Sequence, residues 1–422
     1  MKRDYLTTFF AEAVVIVSYL VTFRLVAAWF TTGGFGEYAL SRRALSLLAP
    51  LAVLTLDVAI ARLIAYNVER RAPTVASYVP AALGLAAVAV SVTSLALILF
   101  SGPVAALLFG SSTYASLIAP LPLLLAGTAL HGIAYGELRG RFRIQRANLL
   151  LVLNQGLAPV LAVLAGSGSV PRILTVMGAA WIVVSLAFLP LRRLAGPGLR
   201  ARMAELLRFG LPRIPGDLLQ LALFALPAIL VAHAAGVAAA GIVAFGISAL
   251  RMVGSALTPI SFVLLPVASR LFARGAVSEL RGHVAGLLRL TAIPLLIGTI
   301  AIELLARPII GAYLGTAFLS GTTLLRLIMA GALPWGLYVT LKSVVDARHF
   351  QAINARNTVI AFLAFLALTP LLSTVLAAPY PAIAAFTVSL YLLCALTLLE
   401  VYFATRRRQP APAGADITAQ PL

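Results

Sequence analysis

Long apolar runs follow one another along almost the whole chain, broken only by short polar segments, at 5–31, 38–66, 75–101, 114–138, 147–165, 173–191, 206–232, 238–265, 284–306, 318–341, 357–376 and 380–404. A helix rising about 1.5 Å per residue needs roughly 20 residues to cross a hydrocarbon core about 30 Å thick, and nearly every run meets that length. Lipid offers backbone N–H and C=O groups no hydrogen-bond partner, so the runs predict helices. The expected fold is all-α: a polytopic integral membrane protein of about 12 transmembrane helices.

The breaks alternate in charge. Lys2 and Arg3; Arg70 and Arg71; Arg139, Arg141, Arg143 and Arg146; Arg192, Arg193, Arg200, Arg202 and Arg208; Arg270, Arg274, Arg281 and Arg289; Lys342, Arg348 and Arg356; and Arg406 to Arg408 all fall on one side. Arg172 and Arg307 are the basic residues of the other. Basic residues near span ends stay on the cytoplasmic side, which places both termini in the cytoplasm.

Composition sharpens this picture. Hydrophobic residues make up 61% of the chain and charged residues 11%, a balance foreign to soluble domains. A net charge of +19 would suit nucleic-acid binding if it were gathered on one soluble face. Here the arginines are scattered over many loops, which reads as topology and contact with anionic lipid headgroups, with no nucleic-acid partner. The run after Met1-Lys2-Arg3 continues to about Phe30, too long for a signal peptide, and is expected to be retained. Cys394 is the sole cysteine, which excludes intramolecular disulfides and multi-cysteine metal clusters.

The linker Leu194-Ala-Gly-Pro-Gly-Leu-Arg-Ala-Arg divides the chain into a six-helix half at 1–193 and another at 206–405, joined by a cytoplasmic linker at 194–205 and followed by a tail at 406–422 whose Pro- and Ala-rich composition reads as disordered. The halves resemble one another. Gly36 precedes Gly241, Gly110 precedes Gly315 and Glu12 precedes Asp217 by the same 205 residues. Six is even, so the halves run in the same direction, and parallel repeats of this kind suggest alternating access around a site at their interface.

Three stretches are specific. Leu207-Arg-Phe-Gly-Leu-Pro-Arg-Ile-Pro-Gly-Asp217, the turn His233-Ala-Ala-Gly-Val-Ala-Ala-Ala-Gly-Ile-Val-Ala-Phe-Gly-Ile247, and Leu265-Pro-Val-Ala-Ser-Arg-Leu-Phe-Ala-Arg-Gly275 resemble the opening of the second half of bacterial polysaccharide exporters. These are the O-antigen-type lipid-linked oligosaccharide flippases of the multidrug/oligosaccharidyl-lipid/polysaccharide superfamily. Leu314-Gly-Thr-Ala-Phe-Leu-Ser-Gly-Thr-Thr-Leu-Leu-Arg326 is similar to that family's link between spans nine and ten. The extra pair of spans that follows the twelfth in the lipid II flippase branch has no counterpart here. The resemblance implies a bacterial inner-membrane flippase for a polyprenyl-diphosphate-linked oligosaccharide, working beside the polymerase and glycosyltransferases of one pathway. It implies no bound cofactor, with an H⁺ or Na⁺ gradient as the driving force. A drug or cation exporter of the same superfamily is the first alternative, and a membrane-embedded glycan polymerase or ligase the second.

Charges inside the spans carry the functional argument, because a charge near the bilayer centre costs at least about 2.5–3.5 kcal/mol unless it finds a partner or a water-filled cavity. Arg24, Arg42, Arg43, Arg62, Arg213, Arg251 and Arg326 remain once the loops are set aside. Arg62 is close enough to the cytoplasmic end of its span to snorkel, and Arg24 and Arg42 can either snorkel or line a cavity. Arg251 sits about 13 residues into span eight, roughly 20 Å along the helix. Helical spacing puts Ser248, Arg251, Ser255 and Thr258 on one face, and Arg43, Ser46, Pro50 and Asp57 form a comparable stripe in span two. With a slip of three residues, Arg43 and Arg251 occupy corresponding places in the halves. They are the expected anion clamp, with Arg24, Arg42 and Arg213 as further candidates. In span seven, Arg213, Asp217, Gln220, Phe224 and Pro227 share a face, and the spacing of Arg213 and Asp217 permits an ion pair. In span one, Tyr5, Phe9, Glu12, Tyr19 and Phe23 form an aromatic stripe around one carboxylate with no arginine three or four residues away. Glu12 is therefore the first candidate for ion coupling, with Asp217 and Asp57 behind it. His131 reads as a packing residue.

Overall fold

The structure is a computed structural model that describes residues 2–70, 73–166, 168–190, 198–348 and 353–406, and the described residues are helical with no strand. The first half contains α1 (Lys2–Trp29), α2 (Thr32–Val53), α3 (Leu56–Glu69), α4 (Tyr78–Leu99), α5 (Ser101–Phe109), α6 (Leu121–Gly140), α7 (Ile144–Leu151), α8 (Ala158–Ala165) and α9 (Val170–Phe188). A connecting helix α10 (Leu199–Gly210) leads to α11 (Ile214–Ala273), α12 (Val277–Tyr313), α13 (Thr322–Met329), α14 (Ala332–Arg348), α15 (Ile353–Ser373) and α16 (Tyr380–Arg406). Positions 194–197 of the expected linker and the tail beyond Arg406 lie outside the described residues.

Among the described residues, nine helical runs are long and apolar enough to cross a membrane, ten when α2 and α3 are taken as one bent span. The run Leu199–Ser261 holds two of the expected spans, because Gly236 breaks α11 at φ 83° and ψ 169°, a conformation open essentially to glycine alone. The remaining span is α6, whose His131, Glu137 and Arg139 lower its hydropathy. Large apolar side chains point outward along the helices, among them Leu6, Phe10, Val88, Leu304 and Val375 at 66–79% exposure. That surface suits lipid and is costly in water.

Three features depart from the expected pattern. Span two begins earlier, at Thr32, and bends by 44° between α2 and α3. At the bend Leu54 (φ 51°) and Thr55 (φ 56°) are both left-handed. Span five passes through one π-helical turn, Val152–Leu157, between α7 and α8. The chain before span seven forms the amphipathic α10 and a 3₁₀ turn, Leu211–Arg213, instead of entering the span directly.

Polar contacts cluster at the cytoplasmic ends. Arg141 pairs with the buried Glu137 at 2.5 Å. Tyr78 donates to Glu205 at 2.9 Å while Arg202 pairs with Glu205 at 2.7 Å, tying α10 to α4. Arg356 and Glu400 join α15 to α16 at 2.5 Å.

The two halves meet along α2 and the second part of α11. Near their outer ends the backbones nearly touch, and Phe23 and Phe35 interlock with Phe245 and Phe318 of the other half at ring-centroid distances of 4.9–6.1 Å, with Tyr38 packed behind Phe23 at 5.6 Å. Tyr313 adds a bond to the Leu20 carbonyl at 2.5 Å. This aromatic seal closes the outer side. Towards the cytoplasm the halves stand apart, and the space between them is the cavity described next.

Candidate functional site

The polar stripes of α2 and α11 face each other across two connected chambers. The deeper one, about 240 Å³, is lined by Glu12, Tyr19, Arg42, Arg43, Ser46, Ser248, Arg251 and Ser255. The second, about 460 Å³, continues towards the cytoplasm between Pro50, Asp57, Thr128 and His131 of one half and Asp217, Gln220, Phe224, Thr258, Trp335 and Lys342 of the other. Arg251 and Ser255 belong to both chambers.

The arginines are held differently. Arg43 is 5% exposed and donates through Nη2 to the Ala244 carbonyl at 2.9 Å and to the Ser248 hydroxyl, both in the opposite half. Its Nε has no partner. Arg42 donates to the Met177 sulfur at 3.4 Å and lies over the Trp181 ring, 5.1 Å from its centroid. Arg251 sits deep in the molecule, yet its side chain is exposed, because the surface it presents is cavity surface. Its guanidinium lies 6.0 Å from the centroid of the Phe224 ring. Among the described residues it makes no hydrogen bond or ion pair. Arg43 stands within electrostatic reach of both Arg42 and Arg251, and Glu12 is the single carboxylate of the deep chamber. Three cations against one carboxylate leave uncompensated positive charge that an anion would neutralise.

Not all expected residues converge. Arg24 is exposed outside both chambers, within the field of Tyr313 at the outer side. Arg213 also lies outside, donating to the Phe209 carbonyl at 3.1 Å and resting 3.7 Å from the centroid of the Phe209 ring. No Arg213–Asp217 ion pair forms. The 3₁₀ turn ends at Arg213 and α11 starts only at Ile214, so the two side chains do not share one continuous helical face. Asp217 and Gln220 line the cytoplasmic chamber instead. Arg62 lies over Phe209, 5.1 Å from its centroid, and Arg326 acts on Glu303 of α12. The aromatic stripe of α1 is split: Tyr19 packs on the buried Phe23 at 4.6 Å, whereas Phe9 is 59% exposed. The side chain of Tyr5 lies outside the described residues.

The expected equivalence of Arg43 and Arg251 is also corrected. Gly36 meets Gly241, Arg43 meets Ser248, and both pairs are 205 residues apart. The helices run without interruption between these contacts, so the repeat needs no slip here. Arg43 is equivalent to Ser248 and Ser46 to Arg251. Each half supplies one arginine and one serine, with the order exchanged.

Sequence reasoning missed His131, Lys342 and Trp335 as cavity residues. His131 is held by a network grown from the π-helical turn: Asn154 bonds to His131 Nδ1 at 3.1 Å and donates to Ser185 at 2.9 Å, while its carbonyl accepts from Trp181 Nε1 at 2.5 Å. A π turn offsets the carbonyls of its helix, and here Trp181 takes up the one from Asn154. The usable signal was the glycine spacing around His131: a Cβ on Gly136 would lie 2.5 Å from the Asp57 carbonyl oxygen, so α6 approaches the bend of span two closely.

Among solved structures, the chain is similar to an inward-facing multidrug resistance MATE family transporter of the MOP superfamily at 14% identity, covering 92% of this chain and 93% of that one with a TM-score of 0.74. It is similar to the lipid II flippase MurJ in an inward closed conformation at 13% identity, covering 95% and 88%, with a TM-score of 0.70. An outward-facing multidrug resistance MATE family transporter matches at 13% identity over 94% and 93%, with a TM-score of 0.57. The fold is thus the one these transporters share, and the closed outer side agrees with the higher score of the inward-facing form. No curated protein sequence matches the chain. The model of the family described as polysaccharide biosynthesis protein matches residues 83–322, more than half of the chain, and the chain belongs to that family.

Proposed function

We propose that this protein is a flippase that moves a polyprenyl-diphosphate-linked oligosaccharide from the cytoplasmic to the outer leaflet of a bacterial inner membrane by alternating access. The observation that carries the reading is the convergence of Arg42, Arg43 and Arg251 on one chamber at the interface of the halves. A diphosphate needs fixed positive charge in a low-dielectric site, and guanidinium forks match phosphate oxygens in pairs. The cation exporter is the second reading, supported by the Asp57 and Asp217 carboxylates in the cytoplasmic chamber. It ranks lower because a cation reaching the deep chamber meets three arginines.

Purified protein in vesicles separates the two. A fluorescent polyprenyl-diphosphate disaccharide is expected to cross the bilayer with wild-type protein, and Arg251→Gln is expected to abolish that movement. Vesicles that translocate an organic cation dye and leave the diphosphate lipid in place would establish the exporter instead.

A further inference from the structure

The deep chamber accounts for a diphosphate and leaves the larger chamber without a ligand. Resting on the flippase reading, we infer that the cytoplasmic chamber receives the sugars next to the diphosphate, and that Asp57 and Asp217 make it select neutral sugars over carboxylated ones.

Continuity comes first. Arg251 and Ser255 line both chambers, so a ligand whose phosphates rest on Arg251 places its neighbouring group in the space beyond Ser255. That space suits sugars. Gln220, Thr128 and Thr258 offer amide and hydroxyl groups at its wall, and Phe224 and Trp335, packed edge to face at 4.6 Å, supply an apolar floor. A pyranose presents hydroxyls at its rim and C–H groups on its faces, and a mixed wall of this kind meets both.

Charge then sets the choice among sugars. Asp57 lies in the first turn of α3, its carboxylate against the backbone N–H groups of Val58 and of Asp57 itself. The bend of span two exposes that helix N-terminus to the cavity, and its free N–H groups face the carboxylate there. Asp217 stands opposite in the first turn of α11, within the field of Asp57. Neither forms an ion pair among the described residues. Lys342 and His131 are the basic groups lining this chamber apart from the shared Arg251. A sugar hydroxyl can donate to either carboxylate. With Arg251 engaged by the diphosphate, a sugar carboxylate would be brought against two like charges, offset by Lys342 in the chamber and by Arg139 and Arg213, which act on Asp57 and Asp217, and such repulsion is an effective source of discrimination.

The test compares two probes in detergent-purified full-length protein: a polyprenyl-diphosphate disaccharide of neutral sugars and its counterpart with one uronic acid. Wild type is expected to bind the neutral probe at least tenfold more tightly. Asp217→Asn and the Asp57→Asn, Asp217→Asn pair are expected to bring the ratio towards one. Taken within each preparation, the ratio is insensitive to the fraction of folded protein, and the single variant guards against a double variant that does not fold. A wild-type preference for the acidic probe, or a ratio untouched by either variant, overturns the inference while leaving the flippase reading intact. Failure of wild type to bind either probe overturns that reading itself, and this inference with it.

Discussion

Gly36 and Gly241 lie in direct contact across the interface of the two halves, so close that a Cβ on Gly241 would stand 2.3 Å from the Gly36 Cα and one on Gly36 would stand 2.2 Å from the Val237 carbonyl oxygen. They are also equivalent positions of the internal repeat. Contact between equivalents is what a two-fold axis requires of residues lying on it, so the pseudo-symmetry axis along the membrane normal passes between α2 and α11. Seven residues further into the membrane the next pair on the axis is Arg43 and Ser248. The closed outer side and the arginine clamp are therefore two levels of one interface.

Gly36→Ala should favour the outward-open form. The added methyl group meets backbone, which cannot swing aside, and overpacking of this kind costs about 1–3 kcal/mol. If the cost falls on the closed outer side alone, the outward-open population rises about 5- to 150-fold. Cysteine at Ala244 in a Cys394→Ser background, labelled by an impermeant maleimide from outside, measures this. Labelling no faster than in the glycine parent would show that the contact does not hold the outer side shut.

Arg43 and Arg251 should fail in different ways. Among the described residues Arg251 makes no hydrogen bond or ion pair, whereas Arg43 is occupied by the Ala244 carbonyl and Ser248. Arg251→Gln should weaken binding of a diphosphate lipid by tenfold or more, and Arg43→Gln should weaken it much less while still stopping transport. Lysine at either position should restore only part of the loss, lacking the bidentate fork. Ser248→Ala removes one hydrogen bond to a charged group, worth about 1.5–3 kcal/mol, and should raise outside labelling as Gly36→Ala does. Equal binding losses in the two glutamine variants would refute the division of roles.

Much of this site was legible in the sequence, because a charge in an apolar span is rare enough to mark a cavity and helical periodicity shows which neighbours share its face. Arg43, Ser46, Ser248, Arg251 and Ser255 were placed together on that ground. The bend of span two was only partly legible: Pro50 lies inside α2 one turn before it, but Leu54 and Thr55 are neither Gly nor Pro, and their residue types do not announce a left-handed backbone. Gly210 packs on the Leu54 carbonyl oxygen, where a Cβ would stand 2.5 Å away, and Thr55 Oγ1 donates to the Gly210 carbonyl at 3.5 Å. The fate of Arg213 was hidden for a similar reason, since four-residue spacing pairs side chains only where the helix is continuous. The register of the repeat was misread because identical residue types, two arginines, were matched where position along the axis decides.

The bend itself yields a prediction. A left-handed L-residue costs about 1–2 kcal/mol, and a β-branched one more. Thr55→Gly removes that cost at the loss of one long hydrogen bond and of about 0.4–1 kcal/mol through a freer unfolded chain, and should raise the thermal midpoint slightly. If span two straightens during transport, the same variant should transport more slowly, because its bent form has become the more stable one. A variant that is stabilised and transports at the wild-type rate would make the bend a fixed feature of the fold.

Glu12 is the proposed coupling residue, and its setting separates it from the other carboxylates. It lines the arginine chamber, yet among the described residues it forms no ion pair with Arg43, Arg251 or any other cation, and Arg139 acts on it from outside that chamber. Asp57 is tied to a helix N-terminus, and Asp217 faces the cytoplasmic chamber. A carboxyl group in the deep chamber, proton-bound in one conformation and released to water in another, would bias the two populations by its differential affinity for the proton. The outcome depends on what the arginines hold. With a diphosphate bound, their charge is neutralised and a proton on Glu12 is easier to keep. Once the diphosphate has left, the positive charge lining the chamber is uncompensated again, and loss of the proton restores part of the balance. Transport by wild type in vesicles should therefore respond to an imposed pH gradient, and Glu12→Gln, fixed in the neutral form, should lose that response while still binding the diphosphate lipid. A Glu12→Gln protein that follows the gradient as wild type does would assign the coupling to another group.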